Sequence, residues 1–200
     1  ANTAGTRRAA ASVVKVEGTS CGLAVQGSGW VARRGVVATN AHVVAGQEDT
    51  RVLTPGGKTL EATVVYLDRG NDVALLRVAS LSLRPLRRDP AESFPERVAL
   101  LGYPADGPLT ASPGTAGAPR NVFTPDASGG RVRARLVVPL RGRVRRGESG
   151  GPVVDRSGRV LAMIFAGTRD GAGGFGVPVE LVVRGLRRPL APVSSGPCAG

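Results

Sequence analysis

The chain has one histidine, two cysteines, two lysines and few aromatic side chains, at 4% of its 200 residues, and each shortage excludes something. A zinc site needs three or four ligands. A single imidazole, with two cysteines too far apart for CxxC spacing, supplies no such set. No run approaches the roughly 20 apolar residues of a membrane-crossing helix, and the opening ANTAGTRRAAAS lacks the apolar centre of a signal peptide. The chain begins at Ala1 and reads as a processed or excised piece of something longer. Long helical periodicity is also scarce.

Against these shortages stands a formal charge of +12. Clustered cations bind phosphate by releasing counterions, so nucleic acid is one reading. Yet apart from Lys15 and Lys58 the cations are arginines, a bias that GC-rich coding produces without any partner. They are scattered in pairs (Arg33/Arg34, Arg87/Arg88, Arg145/Arg146, Arg187/Arg188), with almost no aromatics beside them to stack bases. The expectation is no nucleic-acid partner, no cofactor and no metal.

Cys21 and Cys198 stand near opposite ends of the chain. Either both are buried free thiols or they pair and tie the ends together. Pairing across so long a loop removes unfolded-state entropy worth about 5 kcal/mol in the chain-entropy model, and such a bond persists only in an oxidising compartment. Pairing is the favoured reading, and with it a location outside the cytoplasm.

What is abundant is valine, leucine, glycine and proline, in short apolar runs broken by turn residues. Residues 1–11 read as a flexible tether. SVVKVEG, GLAVQG, SGWVA, GVVATN, TRVLTP, KTLEATVVYL and DVALLRV read as strands of a first β unit over 12–85, with a hairpin around Arg33-Arg34-Gly35. The proline-rich stretch up to residue 96 is a linker, assigned to 86–96. A second β unit spans 97–190, and 191–200 form a tail. In RVRARLVV, Arg131, Arg133 and Arg135 share one strand face and Val132, Ala134 and Leu136 the other; the arginine face is expected in solvent. VELVVRGLRR reads as a short terminal helix.

The chemistry concentrates at RGESGGPV, residues 146–153, where three glycines crowd one hydroxyl. Glycine admits strained turns and close approach, so something is expected to come near Ser149. A serine needs a base to become a nucleophile, and His42, in ATNAHVVAG, is the only imidazole. A third group must orient that ring; Asp72, at the mouth of the apolar run in GNDVALLRV, is the best placed acid, while Asp49 and Asp68 read as turn residues. Gly147-Glu148-Ser149-Gly150-Gly151 also fits the nucleophile elbow of α/β-hydrolases, but there the histidine follows the serine, and none follows Ser149.

TNAHVV, DVALL and GESGGPV, in that order, resemble the serine proteases of the trypsin/chymotrypsin fold over residues 12–190. The resemblance implies an all-β fold of two packed six-stranded antiparallel β-barrels with a short C-terminal helix, the first barrel giving His42 and Asp72 and the second Ser149. It implies an oxyanion hole from the N–H groups of Gly147 and Ser149. It also implies a substrate edge at Phe165, Ala166 and Gly167, and a pocket lined by Gly167 and Gly174.

SCGLAVQGSGWVARRGVVATNAHVVAG, the terminal GPCAG and the placement of the two cysteines are similar to the membrane-anchored periplasmic proteases of mycobacteria and their relatives, associated with acid resistance. There a bridge joins the domain's ends, which implies a Cys21–Cys198 bond. DVALLRV and GGFGVPV are similar to HtrA proteases. The expectations are a monomer acting on protein or peptide substrates of the cell envelope, itself included, and held at the membrane through a segment outside this chain. The alternatives are an HtrA-like quality-control protease domain and a catalytically silent protease fold used for binding. Two positions depart from trypsin: Glu148 replaces an aspartate that pairs with a newly cut N-terminus, and Arg143 falls where trypsin has an acid at its pocket floor.

Overall fold

β-branched residues interrupted every few positions by glycine, proline or asparagine favour strands joined by tight turns, and that is what the chain forms. The computed structural model describes residues 2–88, 94–125, 132–168 and 172–198. β1 (Val13–Ser20) and β2 (Leu23–Arg33) pair antiparallel. Cys21 and Gly22 between them both have positive φ, as a type I′ hairpin turn requires. β3 (Val36–Thr39), β4 (Arg51–Leu53), β5 (Thr59–Glu61), β6 (Thr63–Asp68) and β7 (Val73–Arg77) complete a curled sheet ordered β5-β4-β1-β2-β3-β7-β6. Val14, Val16, Val31, Val37, Val52 and Leu76 fill its concave side.

The second sheet contains β8 (Glu96–Gly102), β9 (Thr110–Ala116), β10 (Arg120–Pro125), β11 (Val132–Gly142), β12 (Pro152–Val154), β13 (Val160–Gly167) and β14 (Gly173–Pro178). Its order is β10-β11-β14-β13-β12-β8-β9, and β11 also pairs with β9. That pairing closes six strands into a barrel around Leu100, Val138, Leu140, Val153 and Ile164, leaving β10 with the first half of β11 as a projecting ribbon. A third core joins the halves: Trp30 and Leu75 from one sheet pack in a cluster with Leu101, Met163 and Val177 from the other. The architecture is chymotrypsin-like, a closed barrel beside a curled half-barrel.

Among the described residues the α-helices are α1 (Ala4–Ala10), the single turn α2 (Ala41–Val44) and α3 (Val179–Leu186). Ala4–Ala10, within the stretch expected as a tether, instead form α1, whose Thr3 cap accepts from the Thr6 N–H at 3.0 Å. Gly5, Thr6 and Ala9 are buried. α1 lies against the turn at Arg156 and Ser157 so closely that any side chain at Gly5 would overlap their backbone. The linker also has an active role. Leu86 N–H donates to Val31 O and Arg87 O accepts from Val160 N–H, both at 2.8 Å, stitching the two sheets together; residues 89–93 of that segment lie outside the described residues.

The ribbon reverses the expected facing of RVRARLVV. Val132 and Leu136 are 65% and 43% exposed, as is Phe123 on β10 at 80%, whereas Arg135 is 4% exposed. Arg133 is in solvent as expected, and Arg131 lies outside the described residues. The cause is tertiary: the face of Arg135 turns toward the first sheet, where backbone carbonyls receive its guanidinium, so the apolar face is the one left outside.

Candidate active site

β3 ends at Thr39, and the next residues turn into α2, carrying His42 past the end of the first sheet. β6 and β7 meet in a tight turn whose last residue, Asp72, is in the left-handed region at φ 59° and 1% exposed. The two sites meet. The His42 N–H donates to Asp72 Oδ1 at 2.9 Å, and His42 Nδ1 lies 2.7 Å from Asp72 Oδ2. A buried Asn40 side chain donates to Asp72 O at 2.9 Å, fixing the carboxylate's own backbone. Asp68 accepts from the N–H and side chain of Asn71 and builds the turn; Asp49 takes the N–H and hydroxyl of Thr19.

Burial of the His42 ring lowers its pKa, but the charge and hydrogen bond of Asp72 raise it and Arg135 lowers it again; the net position is above the usual 6.5. An Nδ1–H donated to Asp72 leaves Nε2 as the ring's acceptor.

Ser149 reaches the same place from the second barrel, on the loop between β11 and β12. Its carbonyl accepts from Ser28 N–H at 2.7 Å. The same oxygen and the side chain of Val43, next to His42, both lie within 3.0 Å of where a Cβ on Gly27 would stand. The Ser149 loop and the His42 turn therefore flank the same point beside Gly27, although among the described residues no hydrogen bond joins Ser149 Oγ to the His42 ring. Around the serine, the glycines answer to space as well as conformation. A side chain on Gly150 would strike Ser28 O, one on Gly151 would strike Leu101 O, and one on Gly147, at φ 90°, would strike Tyr103 O.

The loop is held from several sides. Gly150 N–H donates to Ile164 O at 2.7 Å, and Ser28 Oγ donates to Gly147 O at 2.7 Å. Arg146 O accepts from Ala105 N–H at 2.9 Å. Carbonyl and N–H point opposite ways in a trans peptide, so that last bond turns the Gly147 N–H to the loop's other side. Among the described residues neither Gly147 N–H nor Ser149 N–H donates to a protein acceptor.

Glu148, fully buried, does not wait for an outside partner. Its Oε2 accepts from Arg145 N–H at 2.7 Å, and its Oε1 lies 3.3 Å from both Arg145 Nη2 and Thr110 Oγ1. Arg143 is exposed, and the inward position beside it belongs to Val144, 6% exposed. Val144 side-chain atoms lie 3.3 and 3.1 Å from where Cβ atoms on Gly167 and Gly174 would stand, so Val144 occupies the space between those glycines. Ala166 and Gly167 pair with Phe175 and Gly174, and Phe165 sits at the bulge in β13.

Several residues of the site carry no mark in the sequence. Ser28 and Asn40 are ordinary polar residues in strand-like and turn-like surroundings. Arg135 is placed wrongly by its own periodicity. Only the Arg145–Glu148 pair has a local signal, opposite charges three residues apart.

Comparison with known proteins agrees with this geometry. Residues 27–163 match the trypsin-like peptidase domain. The serine protease Rv3671c of Mycobacterium tuberculosis is 37% identical over 195 residues, covering 94% of this chain and 49% of that protein. The chloroplastic Protease Do-like 1 of Arabidopsis thaliana is 30% identical over 165 residues, covering 78% and 37%. The chain thus spans half or less of the length of these curated relatives. The crystal structure of the Rv3671c protease in its active form matches with a TM-score of 0.92 at 35% identity, over 100% of this chain and 90% of that one. Its inactive form matches at 0.80 over 92% of each. This chain belongs to the trypsin-like peptidase family and is similar to serine proteases of the Rv3671c and HtrA type.

Proposed function

We propose that this chain cleaves peptide bonds within proteins through an acyl-enzyme, with Ser149, His42 and Asp72 as its catalytic residues. The reading rests on the His42–Asp72 pair at 2.7 Å, with the Ser149 loop close beside the turn that carries His42. Ser149 Oγ attacks the scissile carbonyl while His42 Nε2 takes its proton; the oxyanion formed is met by the N–H groups of Gly147 and Ser149. His42 then protonates the leaving amine, the C–N bond breaks, and an ester on Ser149 remains. Water, deprotonated by His42, attacks that ester; the acyl C–Oγ bond breaks, His42 returns the proton to Ser149 Oγ, and the acid is released. Asp72 holds the ring's tautomer and stabilises its cation. Likeness to the active form of the Rv3671c protease supports a competent arrangement of the loop.

The finer reading is an extracytoplasmic protease held at the membrane by a segment outside this chain, acting on cell-envelope proteins and on itself, as a monomer, under acid stress. The Cys21–Cys198 bond supports an oxidising compartment. Similarity to a Do-like protease supports quality control of damaged proteins as the alternative setting. A fluorophosphonate probe should label the wild type stoichiometrically and Ser149→Ala not at all, with peptide hydrolysis falling up to about 10⁶-fold in that variant. Equal labelling of both would overturn the assignment, and no labelling of either would favour a silent binding fold.

A further inference from the structure

Arg135 belongs to the second barrel yet spends its hydrogen bonds on the first. From β11 its Nε donates to Gly70 O at 2.7 Å and its Nη2 to Arg69 O at 3.1 Å. These are the carbonyls just before Asn71 and Asp72. The guanidinium is 4% exposed and lies over the Phe165 ring, 5.4 Å from its centroid. A buried cation given two carbonyl acceptors and an aromatic face is held in one orientation, so the turn it grips is held too. The other side of that turn is tied through the Arg69 side chain, which donates to Ser195 O and Pro197 O at 2.8 and 2.7 Å.

We propose that Arg135 is a positioning residue of this protease: reaching from β11 to the β6–β7 turn of the first sheet, it fixes the turn that aims Asp72 at His42. The proposal rests on the reading of His42 as the base. The charged groups facing His42 are Asp72, from the β6–β7 turn, and Arg135, from β11. The ring's own helical turn adds only Ala41, Val43 and Val44, and the Ser149 loop brings a hydroxyl and peptide groups. The grip of Arg135 on the turn favours a well-aimed carboxylate, while its charge opposes protonation of the ring. Together they keep His42 oriented by Asp72 yet available as a neutral base at a lower pH than Asp72 alone would allow.

The two contributions separate in two variants. Arg135→Met loses both grip and charge, whereas Arg135→Lys keeps a charge but not the paired bonds to two carbonyls. Arg133→Met is the comparison: Arg133 is exposed on the same strand and brings its guanidinium beside Gly70, but its side chain makes no hydrogen bond to the turn among the described residues. In Arg135→Met, kcat should fall about 10- to 100-fold, the scale of a slightly misplaced catalytic group, with KM little changed. The acid limb of kcat/KM and the NMR titration of His42 should both move to higher pH. In Arg135→Lys, kcat should fall while the titration stays near that of the wild type.

Wild-type kcat in both variants overturns the positioning role, and a His42 titration that is the same in Arg135→Met and Arg135→Lys, which differ in charge but both lack the paired bonds, overturns the role of the charge. If Arg135→Met fails to fold, Arg135→Gln, neutral and polar, takes its place in both comparisons. Should the wild type take up no fluorophosphonate, the reading of Ser149 fails by itself. The His42 titration in the Arg135 variants still reports whether the cation acts on the ring.

Discussion

His42 carries two opposed dependences on pH. Its folded-state pKa lies above the unfolded value of about 6.5. The stability gained from its pairing with Asp72 is therefore complete below that unfolded value and is lost as pH rises through the folded one. Catalysis needs the neutral ring and runs the other way. We expect kcat/KM to rise with pH along an acid limb centred above 6.5 and coincident with the NMR titration of this sole imidazole; a kinetic midpoint apart from the spectroscopic one would exclude His42 as the base. Glu148 makes a second test at this scale. Glu148→Gln keeps the size but removes the charge that Arg145 faces, and the Gly147 and Ser149 amides flank it in sequence. Steady-state assays should show a loss in kcat, bounded by the 10²–10³-fold typical of losing one oxyanion donor, with KM nearly unchanged.

At the scale of elements, α1 is the clearest case of structure earned from contact rather than from propensity. A seven-residue helix is too short to persist alone in water, and this one survives because Gly5 lets it settle on the Arg156–Ser157 turn. Gly5→Val should cost about 1–3 kcal/mol through overpacking, read as a lower Tm, while kcat of the folded fraction stays at the wild-type value. An unchanged Tm would mean that α1 does not dock there. The β10–β11 ribbon teaches the complementary lesson. Alternation identified its strand correctly, yet alternation has no sign: it separates two faces without saying which is buried. Arg135 goes inside because carbonyls await it on the other sheet, and Val132 and Leu136 go outside as a consequence.

For the whole molecule, the Cys21–Cys198 bond spans 177 residues and returns the C-terminal tail to the first sheet. There Val193 N–H donates to Val64 O at 2.9 Å, and Ser195 Oγ to Gln47 O at 2.7 Å. Cys198→Ser, or reductant on the wild type, should lower stability by about 2–5 kcal/mol, the usual cost of losing a native bridge. Chemical unfolding at matched pH measures it, and a free energy unchanged by reductant would show that the bond does not constrain the chain. The halves themselves are held by the shared core around Trp30 and Met163 and by the stitches at Leu86 and Arg87.

Local pattern determined the class of structure. β-branched runs, turn glycines and the lack of helical periodicity demand a β protein, and one histidine, ahead of one glycine-crowded serine, narrows the chemistry because a base must come from somewhere. Those inferences depend on residue type and order, which the chain carries wherever it folds. The facing of Arg135, the folding of α1 and the intrusion of Val144 between two glycines were decided only in three dimensions. Each depends on which surface arrives opposite a side chain from tens of residues away or across a loop. Packing and hydrogen-bond satisfaction between distant segments, rather than the preferences of either segment alone, settle such meetings.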